Sequence, residues 1–295
     1  MAEIFQLCEV VTEKDFIDDD YRYSQDRYTA NIKFDGVRIM AKCENGEVIL
    51  INRNKRACNS NFPEIVEELE KLKGNFILDG EIISKDDDFD KVQKRVLTKD
   101  KEKQKELMVE IPVCFMVFDI LKFKDTNTGR EDLKERIKYL KKFEDKFDEL
   151  AMDKELIKVA EFSKPKEMYE KAKAEKREGI IVKSINYNYR EGRNSIWYKV
   201  KFFQEEEFEA ISYTENPKGI RVEDKNGNSC QISHSDNHKI KKIIDKDGKA
   251  LINIQFLEKT KDNRYRFPSF RGMVKVAKLN KNKDDEEDEE DEDDD

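Results

Sequence analysis

The run Phe76-Ile77-Leu78-Asp79-Gly80-Glu81-Ile82-Ile83 is apolar enough to demand burial, yet it carries two carboxylates at its centre. Unpaired charge is costly to bury, so such a strand must reach a rim or meet a ligand. The same conflict recurs three times. Val113 to Leu121 is almost wholly apolar until Phe118-Asp119. Glu178-Gly179-Ile180-Ile181-Val182-Lys183 begins with a carboxylate and ends with an amine. In Ile196-Trp197-Tyr198-Lys199-Val200-Lys201 the alternation sets Lys199 and Lys201 on one face, where they repel unless an anion lies between them. That pair points to a phosphate.

One more lysine is placed by its neighbours. Tyr28 to Ile32 leads into Lys33-Phe34-Asp35-Gly36-Val37-Arg38, and Val37, Ile39 and Met40 lead out, so Lys33 is expected on or just before a turn between two strands. Gly36 is expected to supply a backbone conformation closed to other residues, and Arg38 is close enough to share an anionic ligand. Ile39 to Lys42 and Glu47 to Ile51 read as a hairpin around Glu44-Asn45-Gly46, delivering the basic cluster Asn52-Arg53-Asn54-Lys55-Arg56 at a strand end. A helix is predicted from Pro63 to about Lys73, with Gly74 as its stop. Residues 85 to 106 are so charged that they read as an exposed helix or loop insertion. Further helices are predicted over Leu133 to Leu150 and over 165 to 176, the latter with Ser163 as candidate cap.

From about Gln204 the texture changes to short strands: Phe208 to Tyr213, Gly219 to Glu223, Ser229 to Ile232 and Ala250 to Phe256, with a helix near Asn237 to Ile244. This pattern, closed by the basic and aromatic Arg264-Tyr265-Arg266-Phe267-Pro268-Ser269-Phe270-Arg271, fits a small Greek-key barrel of the OB type. With 295 residues, two domains are the default.

The net charge of −8 misleads, because residues 284 to 295 are all acidic; without those twelve, 54 acidic residues face 58 basic ones, leaving about +4. A mildly basic body suits a polyanionic partner, and the acidic run is expected to be disordered. Met1-Ala2-Glu3-Ile4-Phe5 is no signal peptide and no run approaches a membrane span, so a cytoplasmic or nuclear protein is expected. Cys8, Cys43, Cys58, Cys114 and Cys230 are odd in number and scattered, which suits reduced thiols. His234 and His238 stand at i, i+4 but have no further ligand at metal spacing.

Taken in order, Lys33 to Arg38, the element around Arg53, Asp79-Gly80-Glu81, Phe118-Asp119, Glu178-Gly179 through Lys183, and Lys199-Val200-Lys201 resemble the motifs of the covalent nucleotidyltransferase superfamily, and within it the ATP-dependent DNA ligases. The resemblance covers about residues 28 to 275. It implies an α+β fold: a nucleotidyltransferase domain over 1–203 with ATP-grasp-like antiparallel sheets and helices, an all-β OB-fold over 204–280, and an acidic tail over 281–295. It implies that Lys33 forms a lysyl-AMP, that Arg38 and Arg53 hold the nucleotide or a 5′-phosphate, and that Phe118 stacks on adenine. Glu81 and Glu178 would bind ribose or a Mg²⁺ (or Mn²⁺) ion, and Lys183, Lys199 and Lys201 would surround the phosphates. Arg266-x-Pro268 resembles the segment that orients the pyrophosphate, with Arg271 or Lys275 completing it.

The implied protein is a monomeric ligase of minimal viral or phage type that uses ATP to seal nicks in duplex DNA. Capping enzymes share the lysine motif, but Glu178 to Lys183 resembles the DNA ligase version. Alternatives are an RNA ligase, an mRNA-capping guanylyltransferase of the same superfamily, or a non-catalytic nucleic-acid-binding protein.

Overall fold

The computed structural model describes residues 5–23, 26–260 and 262–274, and the chain divides into two compact units between Phe202 and Phe203. The acidic run 284–295 and Lys275 lie outside the described residues. Among those described, no helix is long and apolar enough to cross a membrane.

The first unit opens with β1 (Gln6–Val11), α1 (Glu13–Asp18), α2 (Asp20–Tyr23), β2 (Tyr28–Ile32), β3 (Val37–Glu44), β4 (Glu47–Asn52), α3 (Pro63–Glu70) and β5 (Phe76–Ser84). It continues with α4 (Phe89–Leu97), α5 (Lys101–Glu110), β6 (Val113–Phe123), α6 (Leu133–Glu144), α7 (Lys146–Glu149), β7 (Ile157–Val159), α8 (Pro165–Ala174), β8 (Gly179–Ser184) and β9 (Gly192–Lys201). These strands form two sheets, ordered β1-β9-β8-β2 and β4-β3-β5-β6-β7. The sheets are mixed rather than antiparallel as expected: β1 runs parallel to β9, and β7 parallel to β6. Both edge strands arrive over long connections, so no hairpin imposes the antiparallel sense.

Alternation divides each strand between two environments. Leu78 and Ile82 of β5 pack with Ile39, Leu50, Phe115 and Val117, under Ile65 of α3 and Leu140 of α6. Ile180, Val182, Tyr198 and Val200 of the other sheet pack on Met168 and Ala172 of α8. A further cluster draws on both sheets, with Met40, Ile77 and Phe118 meeting Tyr189, Ile196 and Trp197. Asp79 and Glu81 have the parity of Ile77, so they face this shared side.

The hairpin forms as expected, with Asn45 and Gly46 at φ 56° and 86°, the left-handed pair that matches strand twist. Two other expectations fail in this unit. Residues 85 to 106 are not an exposed insertion: α4 and α5 bury Val92, Arg95 and Gln104. Arg95 is accommodated by Glu64 at 2.6 Å and the Ile111 carbonyl at 3.0 Å. Ser163 does not cap α8. The cap position is Lys164, and Ser163 exchanges two backbone hydrogen bonds with Ala30. Pro165 at the first helical position needs no N–H partner, which releases Ser163 to bridge to β2.

The second unit comprises β10 (Gln204–Ala210), β11 (Ser212–Asn216), β12 (Gly219–Glu223), β13 (Ser229–Ile232), α9 (His234–Asp247), β14 (Ala250–Phe256) and β15 (Ser269–Met273). Its sheet order is β10-β14-β15-β13-β12-β11, antiparallel except where β13 meets β15. β10 and β11 are consecutive in sequence, yet they stand at opposite ends of that order. Inside lie Phe208, Ile220, Val222, Ile232, Ile252 and Phe256, with Ile240 and Ile244 of α9 packed on them.

Candidate active site

The turn at Lys33 joins two sheets rather than two strands of one hairpin. The Lys33 N–H donates to the Gly179 carbonyl at 2.9 Å, continuing the β2–β8 ladder one step past Ile32. Four residues later the chain enters β3 of the other sheet. Gly36 is needed there for close approach and not, as expected, for an unusual conformation: a Cβ at that position would collide with the Ile82 carbonyl.

This register brings three charges from neighbouring strands together. Lys33 Nζ pairs with Glu178 Oε2, while Lys201 Nζ lies 2.6 Å from Glu178 Oε1. The Glu178 side chain is only 5% exposed, against 20% and 19% for the two lysines, so the carboxylate lies beneath a pair of cations. Lys199, two residues before Lys201, has its pKa lowered by burial and then by the Lys201 charge. A phosphate would relieve that crowding.

The opposite wall comes from β3 and β5. Arg38 makes two hydrogen bonds to Asp79, at 3.0 and 2.6 Å, and a third to the Gln6 carbonyl at 2.6 Å. Asp79 is therefore satisfied inside the protein. Asp119 is likewise gripped by Arg136 at 2.7 and 2.9 Å, with both side chains fully buried. Glu81, opposite Arg38 in the ladder, has no such grip. Burial pushes its pKa up to about 8 against the pull of Lys33 and Arg38. Between the ordinary value near 4.5 and about 8 the unfolded chain ionises Glu81 and the folded chain does not, so this group costs stability increasingly as pH rises. In Glu81→Gln without nucleotide, the melting temperature relative to the native chain should therefore climb between pH 5 and about 8, then level off. A difference independent of pH would contradict this assignment.

The floor is aromatic. Two bulges in β6 leave Phe118 and Leu121 without a partner in the β5 ladder, and both turn toward the cluster shared by the two sheets. Phe118 packs edge-on against Trp197 at 6.2 Å. The Lys183 amine lies 4.2 Å from the Trp197 ring and 4.5 Å from Phe118, and donates to the Phe118 carbonyl at 3.2 Å. Lys183 is 1% exposed, and burial lowers its pKa to about 8.

The first unit thus brings together Lys33, Arg38, Glu81, Phe118, Glu178, Lys183, Lys199 and Lys201. Arg53 is exposed, one residue past β4, and touches none of them. Arg266 belongs to the second unit, where it pairs with Glu258; Arg271 donates to Gln255. Sequence patterns alone missed Gln6, Asn31 and Tyr189. Asn31 is signalled only by parity, two residues before Lys33. Its Nδ2 donates to the Ile32 carbonyl at 2.7 Å, while its Oδ1 is buried without a partner. Such an acceptor is satisfied by a ligand donor. Gln6 and Tyr189 lie in segments without a motif.

The first unit is thus a mixed α/β domain in which a lysine held against a buried carboxylate stands over an aromatic floor between two sheets. Residues 6–201 match the ATP dependent DNA ligase domain, and the chain belongs to that family. The DNA ligase of Aeropyrum pernix is 32% identical over 189 residues, which is 59% of this chain and 30% of that protein. The SPbeta prophage-derived DNA ligase-like protein LigB of Bacillus subtilis is 24% identical over 268 residues, 84% of this chain and 93% of its own length. A solved structure of the Lig E DNA ligases shares the fold with a TM-score of 0.64 at 18% identity, over 92% of this chain and 100% of that one. The chain thus spans less than a third of the archaeal relative and nearly all of the prophage one.

Proposed function

We propose that the chain is an ATP-dependent DNA ligase that seals nicks between a 5′-phosphate and a 3′-hydroxyl, through a lysyl-AMP on Lys33 and then a DNA-adenylate. The observation that carries this is the Lys33 amine held against Glu178 beside Lys199 and Lys201, above an aromatic floor. In the first step a bond forms between Lys33 Nζ and the α-phosphorus of ATP, and the bond to the bridging oxygen breaks, releasing pyrophosphate. An amine attacks only when neutral, so Nζ must give up a proton. Glu178 Oε2 is the acceptor already in contact with it.

Lys199 and Lys201 stabilise charge on the phosphoryl oxygens during the displacement. Phe118 offers its ring to adenine, with the Lys183 amine beside it, and Asn31 Oδ1 is free to accept from the base's amino group. Arg38, fixed by Asp79, would face the nucleotide, while Arg53, exposed just past β4, is assigned to a phosphate of the nick on the strength of its motif alone. Arg266 is assigned to the pyrophosphate on the strength of the Arg266-x-Pro268 pattern alone.

Mg²⁺ binds through one or two carboxylates completed by substrate phosphates. Glu81, which lacks a gripping cation of its own, and Glu178 fit that donor set, and no group of three or more ligating side chains occurs among the described residues. When bound, the ion supplies positive charge against the triphosphate.

The second unit reads as an OB-type barrel. Support comes from a sheet order whose ends are the consecutive strands β10 and β11, and from a helix inserted between β13 and β14. Duplex DNA would be held mainly through its phosphates, so affinity should fall steeply with salt.

The test is a gel after incubation with ATP or GTP labelled at the α-phosphate, followed by addition of nicked duplexes. Label from ATP alone, transfer to the nick and sealing of DNA are expected. Label from GTP would instead mark a capping enzyme, sealing confined to RNA an RNA ligase, and duplex binding without label a non-catalytic protein.

A further inference from the structure

Tyr189 lies outside every motif that supplies the cleft's chemistry, in the connection between β8 and β9, yet three parts of the chain meet at its hydroxyl. The O–H donates to Asp79 Oδ2 at 2.7 Å and accepts the Gln6 backbone N–H at 2.8 Å. Asp79 in turn fixes Arg38 through two hydrogen bonds, and Arg38 Nη2 also donates to the phenol oxygen at 3.5 Å, so the phenol meets the guanidinium both directly and through the carboxylate. Burial raises the phenol's pKa well above its ordinary value, which keeps the proton available for donation.

The ring is used as well. It packs edge-on against Trp197, with centroids 5.8 Å apart and planes at 88°. Trp197 in turn covers the Lys183 amine. A residue on a connection thus touches both Arg38 of β3 and Trp197 of β9, which belong to different sheets.

We propose that Tyr189 is a positioning residue for the nucleotide: its hydroxyl, directly and through Asp79, holds Arg38 toward the cleft, and its ring holds Trp197 over Lys183. This rests on the ligase reading of the cleft. A filler role in the core predicts something different, because phenylalanine would fill the same space. Tyr189→Phe keeps the ring packing and removes only the hydroxyl, leaving the buried Gln6 N–H without its acceptor, Asp79 with one donor fewer and Arg38 without its 3.5 Å contact.

Trp197 is the chain's single tryptophan, so its emission reports ATP binding in the full-length protein without any catalytic step. In Tyr189→Phe the Kd for ATP should rise about tenfold, the scale of one hydrogen bond to a charged group. The KM for self-adenylation should rise in step, while the rate at saturating ATP stays within about twofold, as for a contact made equally in ground and transition states. Adding Tyr189→Phe to Arg38→Lys should weaken binding little further, because both act through one contact.

An unchanged Kd, with or without a lower melting temperature, overturns the proposal, and so does a slower saturating rate at unchanged Kd. Should the native chain neither bind nor react with ATP, the ligase reading fails and takes the proposal with it. Native binding that Tyr189→Phe leaves untouched defeats the proposal alone.

Discussion

Lys33→Ala is expected to leave no adenylated band from labelled ATP, a loss of at least about a thousandfold, because the amine assigned to form the phosphoramidate is gone. Lys33→Arg should fail equally while keeping the charge beside Glu178, since a guanidinium stays protonated and is no nucleophile. The pair separates nucleophile from electrostatic anchor. Glu178 keeps Lys201 at 2.6 Å in Lys33→Ala, so the fold and ATP binding should survive. Because only the first step is removed, the variant should still seal a nick supplied already adenylated. Label at the native level in Lys33→Ala would end the proposed mechanism.

The second large effect is expected at Gly179. A Cβ there would collide with the Val200 carbonyl in the facing strand β9, and the same residue's own carbonyl receives the Lys33 N–H. The obstacle is backbone, so no rotamer change can relieve it, and β8 must pull away from β9. Gly179→Ala should lower stability by about 3 kcal/mol or more, a fall of roughly 6–12 °C in melting temperature. Self-adenylation should be lost even well below that melting point, because the displaced register is the one that sets Lys33, Glu178 and Lys201 together. Gly74→Ala is the control. Its new methyl would meet nothing nearer than the Leu72 carbonyl at 3.7 Å, and both properties should stay near native. A Gly179→Ala chain with native melting and labelling would show that the β8–β9 contact is softer than the geometry implies.

The parts of the cleft that were legible in the sequence are those set by local period. Lys199 and Lys201 share a face because two residues separate them, and Lys33 stands at a strand end because β2 and β3 show their alternation on either side. What could not be read is what depends on register between distant strands. Asp79, Glu81 and Asp119 look alike as carboxylates in apolar runs, but only pairing with Arg38 and Arg136 shows that two of the three are satisfied internally. The parallel edges follow the same rule, since β1 reaches β9 from nearly 190 residues away. Asn31 and Tyr189 matter through one polar atom each, and composition has no trace of where a single oxygen ends up. Arg53 shows the converse: a basic cluster at a strand end was conspicuous in the sequence and stands exposed in the structure.

The bulges of β6 bear on how such a cleft can be lost. Phe118 and Leu121 occupy no rung between β5 and β6, so they are surplus to the sheet and serve only the floor above it. Deleting Phe118 would let Val117 and Asp119 close ranks into an ordinary ladder. The sheet would gain regularity as the cleft lost part of its aromatic floor. In this strand, fitness to fold and fitness to act are recorded in different residues, and a screen for well-behaved protein would pass the chain that had forgotten its ligand.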